Sequence, residues 1–385
     1  MGCTDPQALN FDENASENDG TCVYQETNYV LTLIAELPQE LKECSGSEMA
    51  NSHLWVHNDG GNENEIYRID SLTGEILQTV VIANAQNEDW EDVAKSENYF
   101  YIGDFGNNSG NRTDLRIYRI NKNDLSNDLI SAQFINFNFS DQVDFSENNN
   151  NHDFDCEAFF YYNGQLHLFS KNWVDNQTRH YILSAEPGTH TAQLTETFDV
   201  GGLITSANIS DNNEVVLLGY TELGFNFMWL LFDFDGDDFF SGNKRKILLG
   251  NGFTNSQTEG ITFRENGYGY IVSEQFKVND QITLPQKMLS FSINQWTNGT
   301  TSIQDISILE MINIYPNPVK NSFEVKNPNQ NKIVWKLYNE LGQLLKNGKT
   351  SESETNIDVS HLSDGIYYFS VTVGVSQKSF QLFKK

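Results

Sequence analysis

The chain has 385 residues, enough for two or three domains, and a formal net charge of -29. That balance excludes a nonspecific grip on nucleic acid or anionic lipid, both of which need clustered Lys and Arg, and makes cations the expected small partners. Asn, Asp, Gly, Phe and Tyr dominate over Ala, Pro and Met, which favours short strands joined by polar turns, and no run of about 18 apolar residues offers a transmembrane segment.

Residues 1–25 form a Cys-bounded unit in which Cys3 and Cys22 enclose Asp5, Asn10, Asp12, Asn14, Glu17 and Asp19. It has almost no core, so it needs a disulfide, a metal or both to stay ordered. Its carboxylate and amide oxygens suit Ca²⁺, with Asp5, Asp12 and Asp19 as candidate ligands; a flexible acidic linker stays open as the alternative, because the spacing departs from that of an EF-hand. The GCTDP start and DGTC end resemble the short thrombospondin type 3-like motifs of exported Bacteroidetes proteins. That resemblance implies a Cys3 to Cys22 disulfide.

Residues 28–297 show an internal period of about 45–65 residues. In each unit a short turn, acidic in most, leads into an apolar strand. A second apolar strand ends in polar residues, and two further strands follow. The units open at Glu43-Cys44-Ser45-Gly46, Trp90-Glu91-Asp92-Val93, Asp155-Cys156-Glu157-Ala158, Ile204-Thr205-Ser206-Ala207 and Thr258-Glu259-Gly260-Ile261. Four-strand repeats of this length predict an all-β chain built as a β-propeller of five blades, or six if the stretch Asn121 to Asp155 hides further strands. The fifth unit lacks its last strand, and Thr27 to Leu37, ahead of the first unit, is expected to complete it.

Residues 298–310 read as a linker. From 311 to 385 the charge reverses, with nine Lys against six acids, which marks a further domain. Its blocks IYPNP (Ile314 to Pro318), KLYNELGQLL (Lys336 to Leu345) and DVSHLSDGIYYFSV (Asp358 to Val371) resemble the type A C-terminal sorting domain of the type IX secretion system of Bacteroidetes. The resemblance implies an immunoglobulin-like β-sandwich, recognition by the secretion machinery, and export across the outer membrane to the cell surface or the medium. Met1 is followed at once by Gly2-Cys3-Thr4-Asp5, so the signal of an exported protein is expected to lie upstream or to have been removed.

In a propeller the start of each inner strand and the end of each second strand converge on one mouth of the central channel. The first position supplies Glu43, Glu91, Asp92, Glu157 and Glu259; the second supplies Asp59, Asp104, Lys171, Glu222 and Glu274. Carboxylates so close repel or take up protons unless a cation answers them, and Ca²⁺ at the mouth is the simplest answer, with Glu43, Asp92, Asp104 and Glu259 as metal candidates. The blocks around His57, DWEDVA, GDFGNN, DCEAFF and TEGITF resemble uncharacterised bacterial propellers loosely related to phytase-like and esterase-like ones. That resemblance brings His57, Asn58 and Asn107 into the candidate site.

Two functions stay open. One is a surface propeller binding a glycan, protein or small molecule, with Asp59, Asn107, Lys171 and Glu274 as contacts. The other is a calcium-dependent hydrolase of phosphoesters, lactones or esters, with Glu91 or Glu157 activating water and His57 as a further candidate. The bland readings are that His57 packs beside Trp55, that Lys171 neutralises Glu157, and that Cys44 and Cys156 are buried thiols or a disulfide. No GxSxG, HExxH or P-loop sequence occurs.

Overall fold

A computed structural model describes residues 1–279, 282–297, 311–328, 333–339, 344–373 and 376–385; the expected linker lies outside the described residues. The chain divides into two compact units, Met1–Ile293 and Asn294–Lys385.

The first unit contains five antiparallel four-stranded blades. Their inner strands are Cys44–Ala50, Trp90–Lys95, Asp155–Tyr162, Leu203–Ile209 and Gln257–Glu265. Each inner strand packs beside the next and the fifth packs beside the first, so the ring is closed. Leu, Ile, Val and aromatic side chains on the blade faces fill the spaces between blades; Trp55, Trp90, Phe100 and Tyr118 join blades 1 and 2, and Phe160, Phe169, Leu217 and Phe227 join blades 3 and 4. This burial of apolar surface is the main stabilising term.

There is no sixth blade among the described residues. Within Asn121 to Asp155, Gln133–Phe139 is the outer strand of blade 2, and the short Leu129–Ile130 strand pairs in parallel with the outer strand of blade 1. The ring closes as expected: Thr32–Glu36 pairs antiparallel with Lys287–Ser292 and completes blade 5. Thr27–Asn28 joins a different blade, pairing in parallel with the outer strand of blade 4. A chain begun at Leu37 would expose Lys287–Ser292 as an unpaired edge. Such a truncation is expected to aggregate and to lose cooperative unfolding, whereas removal of residues 1–25 alone is expected to preserve it; thermal unfolding by circular dichroism with size-exclusion chromatography distinguishes the two.

Cys3 and Cys22 are joined by a disulfide. The unit they enclose lies against blade 4: Asn18 donates to Asn243 at 2.9 Å, and the Tyr24 ring sits beneath the Arg245 guanidinium at 4.8 Å. Gly20, with φ +71, lies so close to the Ser241 carbonyl that a Cβ would meet it at 2.1 Å. Asp5 accepts from the Gln7 amide and the Tyr24 hydroxyl, Asp12 from the Asn14 amide, and Asp19 from the Thr21 amide and hydroxyl. These three acids therefore close separate turns, and the structure does not gather them into the expected calcium cluster.

The second unit is a sandwich of two antiparallel sheets. One holds Asn313–Tyr315, Ser322–Lys326 and Glu354–Asp358; the other holds Leu344–Thr350, Ile333–Asn339, Gly365–Val373 and Ser376–Lys384. Alternating apolar residues of both sheets, including Phe323, Val325, Trp335, Leu337, Phe369 and Leu382, form its core.

Candidate functional site: an acidic channel mouth

All five inner strands break register near their first residues, at Cys44/Ser47, Trp90/Val93, Cys156/Ala158, Ile204/Ser206 and Thr258/Gly260. A β-bulge places an extra residue on one strand and re-aims its side chain. The residues within these breaks are Ser45 and Gly46, Glu91 and Asp92, Glu157, Thr205, and Glu259. Recurrence of an acid at this position in blades 2, 3 and 5 is what the sequence repeat registers.

At the mouth, the carboxylate oxygens of Asp59, Asp89 and Glu91 lie within 4.8 Å of one another. Asp59 follows the second strand of blade 1, and Asp89 and Glu91 open the inner strand of blade 2. Two glycines give them room. A Cβ on Gly106 would stand 2.0 Å from Glu91 Oε1 and 2.5 Å from Asp89 Oδ2, and one on Gly60 would stand 2.5 Å from Asp89 Oδ1. Glu91 is only 5% exposed, yet its carboxylate has neither a hydrogen-bond nor an ion-pair partner among the described residues. Burial raises its pKa well above the usual carboxylate range, and Glu157, Asp59, Asp89 and Asp155 raise it further. Burial likewise lifts Asp59 to about 6, against the Gly60 amide that donates to it, and lifts Asp89 to about 7 with help from Asp59 and Asp155.

Across the mouth, Lys171 Nζ lies 2.9 Å from Glu157 Oε1, and both side chains are buried. Burial works against the Lys171 charge, but Glu157, Tyr220 and Glu259 around it hold the ammonium above its ordinary range. Lys171 also faces the Trp173 and Tyr220 rings at 5.0 and 5.5 Å. Glu259 accepts from Gln257 Nε2 at 2.6 Å and is pushed up by burial to about 7; Glu274 reaches about 10 through burial and the neighbouring Glu259, Asp59 and Glu157.

Several expected site residues lie elsewhere or are already engaged. Glu43 precedes the bulge, at the rim, where it bonds Asn62 at 2.7 Å and pairs with Lys42 at 3.4 Å. Asp92, beside Glu91, turns into the channel: its Oδ2 accepts from the amides of Phe159 and Ala207 and from the Ser206 hydroxyl, so one carboxylate joins blades 2, 3 and 4. Asp104 is neutralised by Arg112 at 3.0 Å and accepts from the Tyr118 hydroxyl. Asn107 is consumed by Phe154 O and the Arg112 amide. His57 is fully buried edge-on against Trp90, with Nδ1 bonded to Asn58 O. Burial lowers its pKa to about 4 despite that carbonyl, so the ring is neutral near pH 7, and its Nε2 is buried with no hydrogen-bond partner among the described residues. Asn58 donates to Glu40 O, and Cys44 and Cys156 are buried free thiols.

Sequence reasoning missed Asp89, and it missed Asp155, whose oxygens accept from the Asn107 amide and Trp173 Nε1. Asp89 lies one residue before the repeat unit begins, where the Gly60 and Gly106 loops pass close to its carboxylate.

The raised acids fix a pH dependence. Where a folded-state pKa exceeds its unfolded value, the folded state binds more protons between the two, so stability falls as pH rises through that window. For Asp59, Asp89 and Glu259 the window runs from roughly pH 4, the unfolded carboxylate range, to about 6–7. The metal-free protein is expected to melt at a higher temperature at pH 5 than at pH 8, as calorimetry in chelator would record.

Residues 313–385 match the secretion system C-terminal sorting domain. No curated protein matches the chain. Among solved structures the chain is similar to PorZ, an essential surface component of the type IX secretion system of Porphyromonas gingivalis, at 14% identity over 100% of this chain and 49% of that one, TM-score 0.33. It is also similar to a PQQ-bound aldose sugar dehydrogenase from Streptomyces coelicolor, at 10% identity over 69% and 97%, TM-score 0.39. A third is regucalcin, a calcium-binding protein from Agrobacterium tumefaciens, at 11% identity over 67% and 90%, TM-score 0.37. The chain spans about half the length of PorZ. At such TM-scores the propeller rests on this chain's own strand pairing, and the sorting domain rests on the family match. Taken together, the chain is a cargo of the type IX secretion system, exported to the cell surface or the medium, with a β-propeller body and a secretion system C-terminal sorting domain at residues 313–385.

Proposed function

We propose that the propeller is a calcium-dependent ligand-binding protein whose cation is held at the channel mouth by Asp59, Asp89 and Glu91. The observation that carries this reading is the carboxylate of Glu91, a residue 5% exposed, which has no bonded partner among the described residues and lies within 4.8 Å of two other acids. The buried or nearly buried cations around the mouth are already engaged, Lys171 with Glu157 and Arg112 with Asp104. Uncompensated buried carboxylates are costly, and a hard divalent cation that takes six to eight oxygens relieves that cost. Bound calcium would supply open coordination positions for ligand oxygens. Glu259, Glu274 and Lys171 would contact the remainder of the ligand.

A second reading, calcium-dependent hydrolysis of a phosphoester, lactone or ester, is favoured by Glu259, whose pKa of about 7 beside Lys171 suits proton transfer. Isothermal titration of the full chain with calcium tests the first reading, and an absence of heat and of any shift in thermal unfolding would defeat it. Hydrolysis assays on the three ester classes, with Glu259→Gln as control, decide between binding and catalysis. Deletion of residues 313–385 is expected to abolish delivery to the cell surface while leaving the calcium titration unchanged; cell fractionation and calorimetry read the two effects separately.

A further inference from the structure

We infer that the ligand of the cation-bearing mouth is a neutral carbohydrate. This rests on the cation reading given above and extends it by naming the ligand class.

The charge at the mouth sets the first constraint. Three carboxylates exceed the charge of one divalent cation, and Lys171 is neutralised by Glu157 at 2.9 Å, so an anionic ligand meets no spare positive charge. At longer range the net charge of -29 repels anions. A cationic ligand would compete with calcium for the same oxygens. Hydroxyl groups avoid both conflicts: their oxygens fill open calcium positions, and, being both donors and acceptors, they suit a neutral carboxyl such as Glu274, for which the described residues supply no side-chain hydrogen bond.

The second constraint comes from a different part of the mouth. Blade 4 brings Thr205 and Tyr220 to the positions where other blades carry charged residues. The adjoining loops expose Val174 (58%), Leu223 (84%), Phe225 (49%) and Phe253 (66%). These loops are tied into one rim. Asn176 Nδ2 donates to Glu222 Oε1 at 3.1 Å, the Gly252 amide donates to Gly224 O at 3.3 Å, and Phe253 lies edge-on to Phe276 at 6.1 Å. Phe225 is the cross-strand partner of Asn251, two residues before Phe253, which keeps both residues on the same side of blade 4. An apolar patch bordering a polar, cation-bearing wall matches a molecule with oxygen at its edges and C–H groups on its faces, which is what a pyranose ring presents.

The opposite end of the channel lacks this combination. Its cavity of about 420 Å³, lined by Glu48, Lys95, Lys122, Tyr162, Asn208 and Asp211, holds a buried Glu48 already paired with Lys95 at 2.8 Å and bonded by Thr262 and Asn208.

The test uses the full chain with saturating calcium, titrated with neutral hexasaccharides (maltohexaose, cellohexaose, mannohexaose), hexagalacturonate as the acidic probe and hexaglucosamine as the basic one. Binding is read by calorimetry and by tryptophan fluorescence, since Trp173 lies beside Lys171. At least one neutral probe is expected to bind, and binding is expected to vanish in chelator. Leu223→Ser and Phe253→Ser, both at exposed sites, are expected to weaken it by about tenfold each, the effect of roughly 1.4 kcal/mol, without altering calcium affinity. Tighter binding of the acidic or basic probe overturns the inference, as does failure of every neutral probe at millimolar concentration with calcium bound. Failure of calcium itself to bind overturns the cation reading instead, so the two outcomes are distinguishable.

Discussion

Asp89→Asn is expected to lower calcium affinity about a hundredfold, equivalent to roughly 2.7 kcal/mol, and to raise the melting temperature of the metal-free protein at pH 8. Both effects have one cause. Asp89 stands with Asp59 and Glu91 around a point where no basic side chain is bonded to them, and burial with its acidic neighbours already pushes its pKa to about 7. Removing its charge relieves repulsion in the metal-free state and removes a ligand from the bound one. Calorimetric titration with parallel thermal unfolding measures both. If calcium affinity falls while metal-free stability also falls, Asp89 is a structural residue and the cation reading loses its main support. Gly106→Ala approaches the same site from the backbone side: its methyl group would meet Glu91 Oε1 at 2.0 Å, so calcium affinity should drop with the ligands intact.

Asp92→Ala is expected to do the reverse, destabilising the propeller by at least about 3 kcal/mol, or on the order of 6–10 °C in melting temperature, with little effect on calcium affinity in the folded fraction. The Asp92 carboxylate is fully buried and accepts from Phe159 N, Ala207 N and Ser206 Oγ on two other blades. Truncation leaves these donors unsatisfied in the channel. Each buried orphan costs about 1–3 kcal/mol, and no water replaces three bonds of that geometry without a polar cage of its own. Thermal unfolding measures the loss. A variant of wild-type stability would mean that Asp92 does not join the blades.

Adjacent Glu91 and Asp92 mark the limit of what residue order conveys. Both are acids at the start of the same strand, and residue order alone assigns Asp92 to the metal and Glu91 to the activation of water. The bulge between Trp90 and Val93 separates them, leaving Glu91 with Asp59 and Asp89 at the mouth and giving Asp92 to the channel interior. Asp104 and Arg112 illustrate a different limit. They are eight residues apart on either side of a loop, and the fold of that loop, in which Arg112 also bonds Gly106 O at 2.8 Å, turns an apparent metal ligand into half of an ion pair. The turn-closing roles of Asp5, Asp12 and Asp19 are local, and Asx geometry competes for their oxygens before any cation does.

The acidic channel mouth follows from strand-start acids that recur with the repeat, because a period of four strands is a property of residue order. The same holds for the closure of the ring by Thr32–Glu36 and for the sorting domain, whose blocks occupy fixed positions at the end of the chain. Sequence by itself therefore determined the architecture, the address and the blades that carry acid. Tertiary structure alone decided which acids meet, because direction at a bulge, loop approach at Gly60 and Gly106, and neutralisation by Arg112 or Lys171 depend on residues brought together across blades. A side chain's charge is written in the sequence; the charge it faces is set by packing.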